Sequence, residues 1–397
     1  MSPRIVIIGP AYPLRGGLSS FNERLAREFI ANDYETEIYT FSLQYPAFLF
    51  PGTTQYSSEP APADLLIHEK INSISPLNWL WVGYQLCKKK PDILVVRYWL
   101  PFMGPCLGTI LRLVKRNRHT KIICIADNVI PHEKRFGDMA FTKYFVKPID
   151  AFITMSEKVW KDLKIFSSKP SRQIVHPLYD NFGEAVSKEE ACKHLEIDAQ
   201  LKIILFFGFI RKYKGLDLLI EAINLLKNRN YFDSNPVQFL IAGEFYEDPQ
   251  PYLDAIQKYE ISNFVILKTT FIADSEVKFY LSAADCVIQP YKNATQSGVT
   301  PLAYHFEKPM LVTNVGGLAA LVPESVGMVC EPNPMAIAEQ IETFFKQPPE
   351  FFINNIKLEK KKYSWKILLD TIVSLKFENL KMKNLKMKNL KMENLKI

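Results

Sequence analysis

Residues 202–215 read KIILFFGFIRKYKG: an apolar run that ends in one glycine and places Arg211 and Lys214 at the mouth of a helix. Free backbone N–H groups at a helix start, joined by fixed cations, hold a diphosphate without a metal. Alone, the turn also fits a plain strand-to-helix connection with two solvated cations. A second glycine-rich turn near the N-terminus, Gly9-Pro-Ala-Tyr-Pro-Leu-Arg-Gly16-Gly17, shifts the balance. Paired glycines ahead of a helix permit positive φ and let backbone approach a ligand closely. Arg15 adds a cation there; the alternative is a tight loop that needs glycine for sterics only.

Three further places carry candidate chemistry. Thr295-Gln-Ser-Gly-Val-Thr300 follows the strand-like CVIQP and precedes an apolar helix. Ser297, Gly298, Val299 and Thr300 can offer N–H groups to a phosphate at that helix start, or their hydroxyls cap the helix. Glu244 closes the run LIAGE, where strand ends open in a doubly wound sheet; it either binds a nucleotide or is solvated. Asp127, Asn128, His132 and Glu133 follow the run KIICIA. Phe271 and Ile272 either pack a base or belong to a core.

These residues need elements to position them. Short apolar runs recur at 4–9, 36–41, 93–98, 121–126 and 151–155, with helical periodicity between them. The pattern restarts at 202–209, 237–243, 263–268, 286–290 and 309–313. Alternating strand and helix implies parallel sheets covered on both faces. Ser20 and Glu23 form a candidate capping box for the first helix. At 397 residues the chain exceeds one ordinary core, so two doubly wound α/β domains are expected. The reading divides the chain into residues 1–180, residues 181–355, a closing helix over 356–375 returning to the first domain, and a tail over 376–397.

Composition limits the alternatives. The formal charge is +7, but the tail's seven Lys and two Glu contribute +5 of it, so no nucleic-acid-binding face is expected on the body. The tail repeats every five residues from Asn379, a period that gives neither helix nor strand one apolar face. It reads as a dispensable extension, with loose contact to anionic lipid as the minor alternative. Six scattered cysteines without metal spacing read as reduced thiols in a cytoplasmic protein. Neither a signal peptide nor a spanning helix is visible. Aromatic residues crowd 45–56 and 79–84 (Tyr45, Phe48, Phe50, Tyr56, Trp79, Trp81, Tyr84), either as an acceptor- or lipid-facing surface or as core.

Taken in order, RGGLSSFNERLA (15–26), GFIRKYKGLDLLIEA (208–222), LIAGE (240–244), ADCVIQPY (284–291) and KPMLVTNVGGL (308–318) resemble the retaining glycosyltransferases of the GT-B fold, family 4. YPAFLFPG (45–52), DNVIPHE (127–133) and HPLYDNF (176–182) are similar to a bacterial subgroup that builds surface polysaccharides. The resemblance implies two Rossmann-like domains facing a cleft. A UDP- or GDP-sugar donor would lie mainly on the second domain, and a saccharide or lipid-linked acceptor mainly on the first. It gives Arg211 and Lys214 the diphosphate, with Gly16 and Gly17 approaching the same group. It places His132 or Asp127 at the sugar and calls for no metal or resident cofactor.

The implied enzyme is a metal-independent hexosyltransferase, cytoplasmic or peripheral at the inner membrane face. Departing negative charge on the diphosphate is what fixed cations stabilise. Two glutamates common in the family, seven residues between them, fall here on Ala294 and Leu302, and Phe209 replaces a common Arg. That motivates an alternative: a catalytically degenerate GT-B protein that binds nucleotide or glycan as a partner subunit. A Rossmann dehydrogenase is disfavoured, since neither turn spells G-x-G-x-x-G with an acid about 20 residues on.

Overall fold

A computed structural model describes residues 2–46, 54–130, 136–294 and 297–376. They form two compact units, one of residues 2–46, 60–130, 136–175 and 364–376, the other of residues 54–59, 176–294 and 297–363.

The first unit holds seven strands: β1 (Arg4–Ile8), β2 (Glu35–Leu43), β3 (Ile67–Asn72), β4 (Ile93–Tyr98), β5 (Lys121–Ala126), β6 (Ala151–Thr154) and β7 (Ser171–Gln173). Their order is β3-β2-β1-β4-β5-β6-β7, and every pairing is parallel. The strand order reverses between β1 and β4. Helices α1 (Gly17–Ala31), α2 (Pro76–Lys89), α3 (Gly104–Lys115), α4 (Asp138–Val146) and α5 (Glu157–Lys164) make the crossovers. A last helix, described over 365–376, lays Trp365 against Phe21 with ring centroids 4.8 Å apart.

The second unit runs α6 (Lys188–Leu195), β8 (Lys202–Phe207), α7 (Leu216–Asn228), β9 (Val237–Ala242), α8 (Gln250–Lys258), β10 (Val265–Lys268), α9 (Val277–Ala283), β11 (Cys286–Gln289), α10 (Val299–His305), β12 (Met310–Thr313), β13 (Gly327–Cys330), α11 (Pro334–Phe344) and α12 (Pro349–Glu359). Its parallel sheet has the order β10-β9-β8-β11-β12-β13, so the reversal lies between β8 and β11.

Both units are the doubly wound parallel α/β layers that the alternating pattern implied. Central strands β4, β5 and β8 are buried along nearly their whole length, so they read as unbroken apolar runs. The edge strands β3, β7 and β13 were not expected. All three are only partly buried; β3 and β7 mix polar with apolar residues, and β13, though apolar, has only four residues.

The capping box is corrected. Helix α1 starts one turn earlier, with Gly16 as its N-cap and no side-chain cap bond. The Ser20 hydroxyl returns to the Gly16 carbonyl, and Glu23 Oε1 accepts from the Tyr12 N–H at 2.8 Å. Among the described residues no helix is long and apolar enough to cross a membrane, and no group of three His, Cys, Asp or Glu is placed to hold a metal.

Candidate active site

In the second unit the chemistry gathers at the carboxyl ends of β8, β9 and β11, beside the strand-order reversal. Ligands bind at such a reversal in open α/β sheets. Gly208 follows β8 with φ 90°, and Gly243 follows β9 with φ 138°. A Cβ on Gly243 would lie 2.4 Å from the Gly208 carbonyl oxygen, so the two turns touch backbone to backbone. The Ile210 N–H then donates to the Glu244 carbonyl at 2.8 Å, locking the two loops together.

The chain next makes a single 3-10 turn, Lys212–Lys214, and Gly215 (φ 70°) hands it to α7. Only glycine fits there, because a Cβ would meet the Pro290 carbonyl oxygen at 1.9 Å. This turn folds Lys214 back over the end of its own strand. Its ammonium sits 3.1 Å from where a Gly208 Cβ would be, and Val299 at the start of α10 is 3.7 Å from the same point. The ring of Tyr291 is 5.7 Å away. Lys214 is only 8% exposed, and no carboxylate pairs with it among the described residues. Burial lowers its ammonium from 10.5 to about 7, with the charge of Arg211 adding to the effect. A desolvated cation without a counter-ion is a seat for an anion.

Arg211 is exposed and stands 4.9 Å over the Tyr246 ring. Tyr246 in turn lies 4.3 Å from Phe209, and Phe209 is 6.4 Å from Phe271 at 25° between planes. These rings form a half-buried aromatic face beside the cationic turn. Phe271 and Ile272 therefore both lie outside the fully buried core. Glu244 is buried, which removes the solvated alternative for it.

The start of α10 is held by a polar network that sequence reasoning missed. Ser297 Oγ donates to Gln289 Oε1 at 2.5 Å and accepts from the Val299 N–H at 3.2 Å. Thr300 Oγ1 lies 3.2 Å from the same Gln289 amide, and the Tyr291 hydroxyl 3.3 Å from Ser297 Oγ. The hydroxyls of Ser297 and Thr300 and the Val299 amide are thus committed to the loop itself. Gly298 lies beside them as the N-cap of α10. The available signal was a polar residue, Gln289, closing an apolar strand.

In the first unit, the turn after β1 is pinned from three sides. Ala11 exchanges bonds with Thr40 Oγ1, Asn22 Nδ2 donates to the Pro10 carbonyl, and Glu23 holds the Tyr12 amide. Gly16 closes the turn at φ 99° and ψ 171°, leading directly to Gly17 and α1. Asp127, after β5, is not a free carboxylate. Arg97 near the end of β4 donates to both its oxygens at 2.5 Å, and the guanidinium stacks 3.8 Å from the Phe21 ring centroid. Burial pushes the Asp127 carboxyl above its ordinary value, while the Arg97 charge opposes that. His132 and Glu133 lie outside the described residues. The structure thus brings Arg211, Lys214, Glu244 and residues 297–300 into one unit, and Gly16, Gly17 and Asp127 into the other.

Comparison with known proteins matches part of this chain to a family. Residues 187–362 match the model for glycosyl transferases group 1. An alpha-1,3/1,6-mannosyltransferase from Homo sapiens is 28% identical over 156 residues, a stretch spanning 37% of each chain. An uncharacterized glycosyltransferase from Methanocaldococcus jannaschii is 24% identical over 390 residues, 91% of this chain and 95% of that one. Anabaena HepE, solved in complex with UDP-glucose, superposes with a TM-score of 0.68 at 14% identity, covering 94% of this chain and 98% of that one. With two parallel α/β sheets of seven and six strands, the chain has the GT-B fold, and its second unit is similar to glycosyl transferases group 1.

Proposed function

We propose that the protein moves a hexose from a UDP- or GDP-sugar to a saccharide or lipid-linked saccharide acceptor in cell-surface polysaccharide synthesis. The transfer retains anomeric configuration and needs no metal. The observation that carries this reading is the buried Lys214 ammonium without a carboxylate partner, set between Gly208 and the start of α10. A nucleoside diphosphate supplies the missing anion. As the sugar–phosphate bond breaks, charge grows on the departing diphosphate, where Lys214 and Arg211 stabilise it. The face of Phe209, Tyr246 and Phe271 offers stacking area for the base, and the Glu244 carboxylate contacts the nucleotide. Amides of Gly298 and Thr300 complete the phosphate contacts.

In the first unit, Gly16 and Gly17 keep the backbone role that the resemblance gives them, and the sugar falls to His132 or Asp127. Because Asp127 is clamped by Arg97, it acts through position rather than as a mobile base. The departing phosphate itself can accept the acceptor's proton.

Ala294 and Leu302, both buried, stand where the family commonly has glutamates, and they favour one rival reading: a binding subunit without turnover. A thermal-shift screen of nucleoside diphosphates and nucleotide sugars, followed by transfer and hydrolysis assays, separates the two. A ligand at about 100 times its Kd stabilises the folded chain by about 2.7 kcal/mol. Stabilisation with transfer supports the enzyme; stabilisation without transfer or hydrolysis supports the rival. No response to any nucleotide refutes the enzyme and the nucleotide-binding form of the rival.

A further inference from the structure

The turns after β8 and β9 go on pairing beyond the ends of their strands. The Gly208 N–H donates to the Ala242 carbonyl at 2.9 Å, the Ile210 N–H to the Glu244 carbonyl at 2.8 Å, and the Tyr246 N–H to the Ile210 carbonyl at 3.0 Å. This backbone pairing leads up to Arg211 and the 3-10 turn that carries Lys214. Further along, the loop after β11 fixes the same turn: the Lys292 N–H donates to the Tyr213 carbonyl at 2.7 Å, and the Lys292 ammonium pairs with Asp217. The leading end of the turn needs a partner as well, because the first N–H groups of a helical turn have none within it.

Glu247 supplies that partner. Arg211 is the N-cap of the turn but makes no side-chain cap bond. Instead, Glu247 Oε2 accepts from the Lys212 N–H at 2.8 Å. The other oxygen, Oε1, accepts from the Tyr252 hydroxyl in the first turn of α8. Tyr252 is 8% exposed, and burial together with the Glu247 carboxylate holds its hydroxyl above the ordinary range, so it stays a donor. One continuous link therefore runs from α8 through a buried hydroxyl and a carboxylate to the first amide of the cationic turn. The sign of the charge argues that geometry is its purpose. A fixed negative charge close to an anion seat opposes the anion, so an acid placed there for its charge would work against the site.

We propose that Glu247 is a positioning residue of the diphosphate seat: by tying the Lys212 amide to α8, it sets where Arg211 and Lys214 stand. This role rests on the reading of that turn as a diphosphate site. Glu247 acts through the backbone of the turn and not on the ligand. With the Lys212 amide released, Arg211 leaves its place over the Tyr246 ring, and water reaches the Lys214 ammonium. A diphosphate must then order the turn before the two cations can meet it, and that ordering lowers affinity.

The test titrates UDP and GDP into the full-length chain by calorimetry and follows Lys214 by NMR of ¹³C-labelled lysine, well below the melting temperature. Glu247→Gln keeps the length of the side chain. Its carbonyl oxygen accepts from Lys212, and its amide donates to the Tyr252 oxygen, so it rescues affinity to within about threefold of the parent and leaves the Lys214 midpoint near 7. Glu247→Asp keeps the charge but is one methylene too short to reach both donors. Its affinity falls by about tenfold, and in the ligand-free chain the Lys214 midpoint moves up toward 10.5. Tyr252→Phe cuts the link at its other end and weakens affinity by about threefold, which keeps the test open if the Asp variant does not fold. Parental affinity and an unmoved Lys214 midpoint in Glu247→Asp, with only a lower melting temperature, overturn the proposal in favour of a plain stabilising bond. A loss in Glu247→Gln as large as that in Glu247→Asp also overturns it, since charge and not reach would then matter. A parent that binds neither nucleotide, with the Lys214 midpoint still moved by Glu247→Asp, refutes the diphosphate reading while the positioning of the turn by Glu247 stands.

Discussion

Replacing Lys214 by Met keeps the length of the side chain and removes its charge, which isolates the role of the buried ammonium. Its fall from 10.5 to about 7 corresponds to on the order of 4–5 kcal/mol against the charged form. That cost bears on the ligand-free fold. Between about pH 7 and 10.5 the unfolded chain binds more protons than the folded one, so stability rises with pH across that window and the cost is full below it. Lys214→Met removes the cost, so at pH 7 and below the variant is at least as stable as the parent. Binding has the opposite sign. A diphosphate favours the charged lysine, so above about pH 7 each binding event takes up a proton and affinity falls by as much as tenfold per pH unit.

Isothermal titration with a nucleotide sugar from pH 6 to 9, in buffers of different ionisation enthalpy, reads both the slope and the proton count. A diphosphate diester holds its own charges constant over that range. Lys214→Met flattens the profile and abolishes proton uptake. Turnover in the variant falls by about 10²–10³-fold, as when one donor is removed from a charge-stabilising site. Parallel pH profiles for parent and variant, or equal turnover, refute the assignment.

Three further perturbations test the supporting structure. Gly243→Ala places a methyl 2.4 Å from the Gly208 carbonyl at φ 138°; it should lower stability by about 1–3 kcal/mol and weaken nucleotide affinity in a thermal-shift titration, and unchanged affinity would count against the paired turns as part of the site. Asp127→Asn strips the anion from Arg97, which is 3% exposed, and should cost about 3–5 kcal/mol in urea unfolding; a loss below about 0.5 kcal/mol counts against a structural ion pair. Gln289→Leu leaves the Ser297 and Thr300 hydroxyls without their shared partner, so nucleotide affinity should drop by about tenfold in a thermal-shift titration, and an unchanged response would separate that network from the site.

The parts of the fold readable in the sequence are those where physics writes one pattern. Strands β1, β4, β5 and β8 are covered on both sides, so nearly every position is apolar and glycine or polar residues mark their ends. Strands β3 and β7 lie at sheet edges, where half-burial leaves mixed sequences that resemble loops, and the edge strand β13 is apolar but only four residues long. The Ser20–Glu23 spacing matched a local rule, yet Glu23 serves a backbone amide eleven residues away, which spacing alone does not reveal. Lys214 was legible as a cation after a strand, but its burial was not. That depends on a 3-10 turn folding it over Gly208. Arg97 was hidden in the run ILVVRY, where one polar residue in an apolar strand looks like an ordinary end.

The most direct measurement is the titration of Lys214 itself, by NMR of ¹³C-labelled lysine with Lys214→Arg for assignment. In the ligand-free chain its midpoint should fall near 7, far below the other lysines, and should rise above about 9 when a nucleoside diphosphate is bound. A midpoint near 10.5 in the free protein, unmoved by nucleotide, would contradict the anion seat after β8 and the reaction built on it.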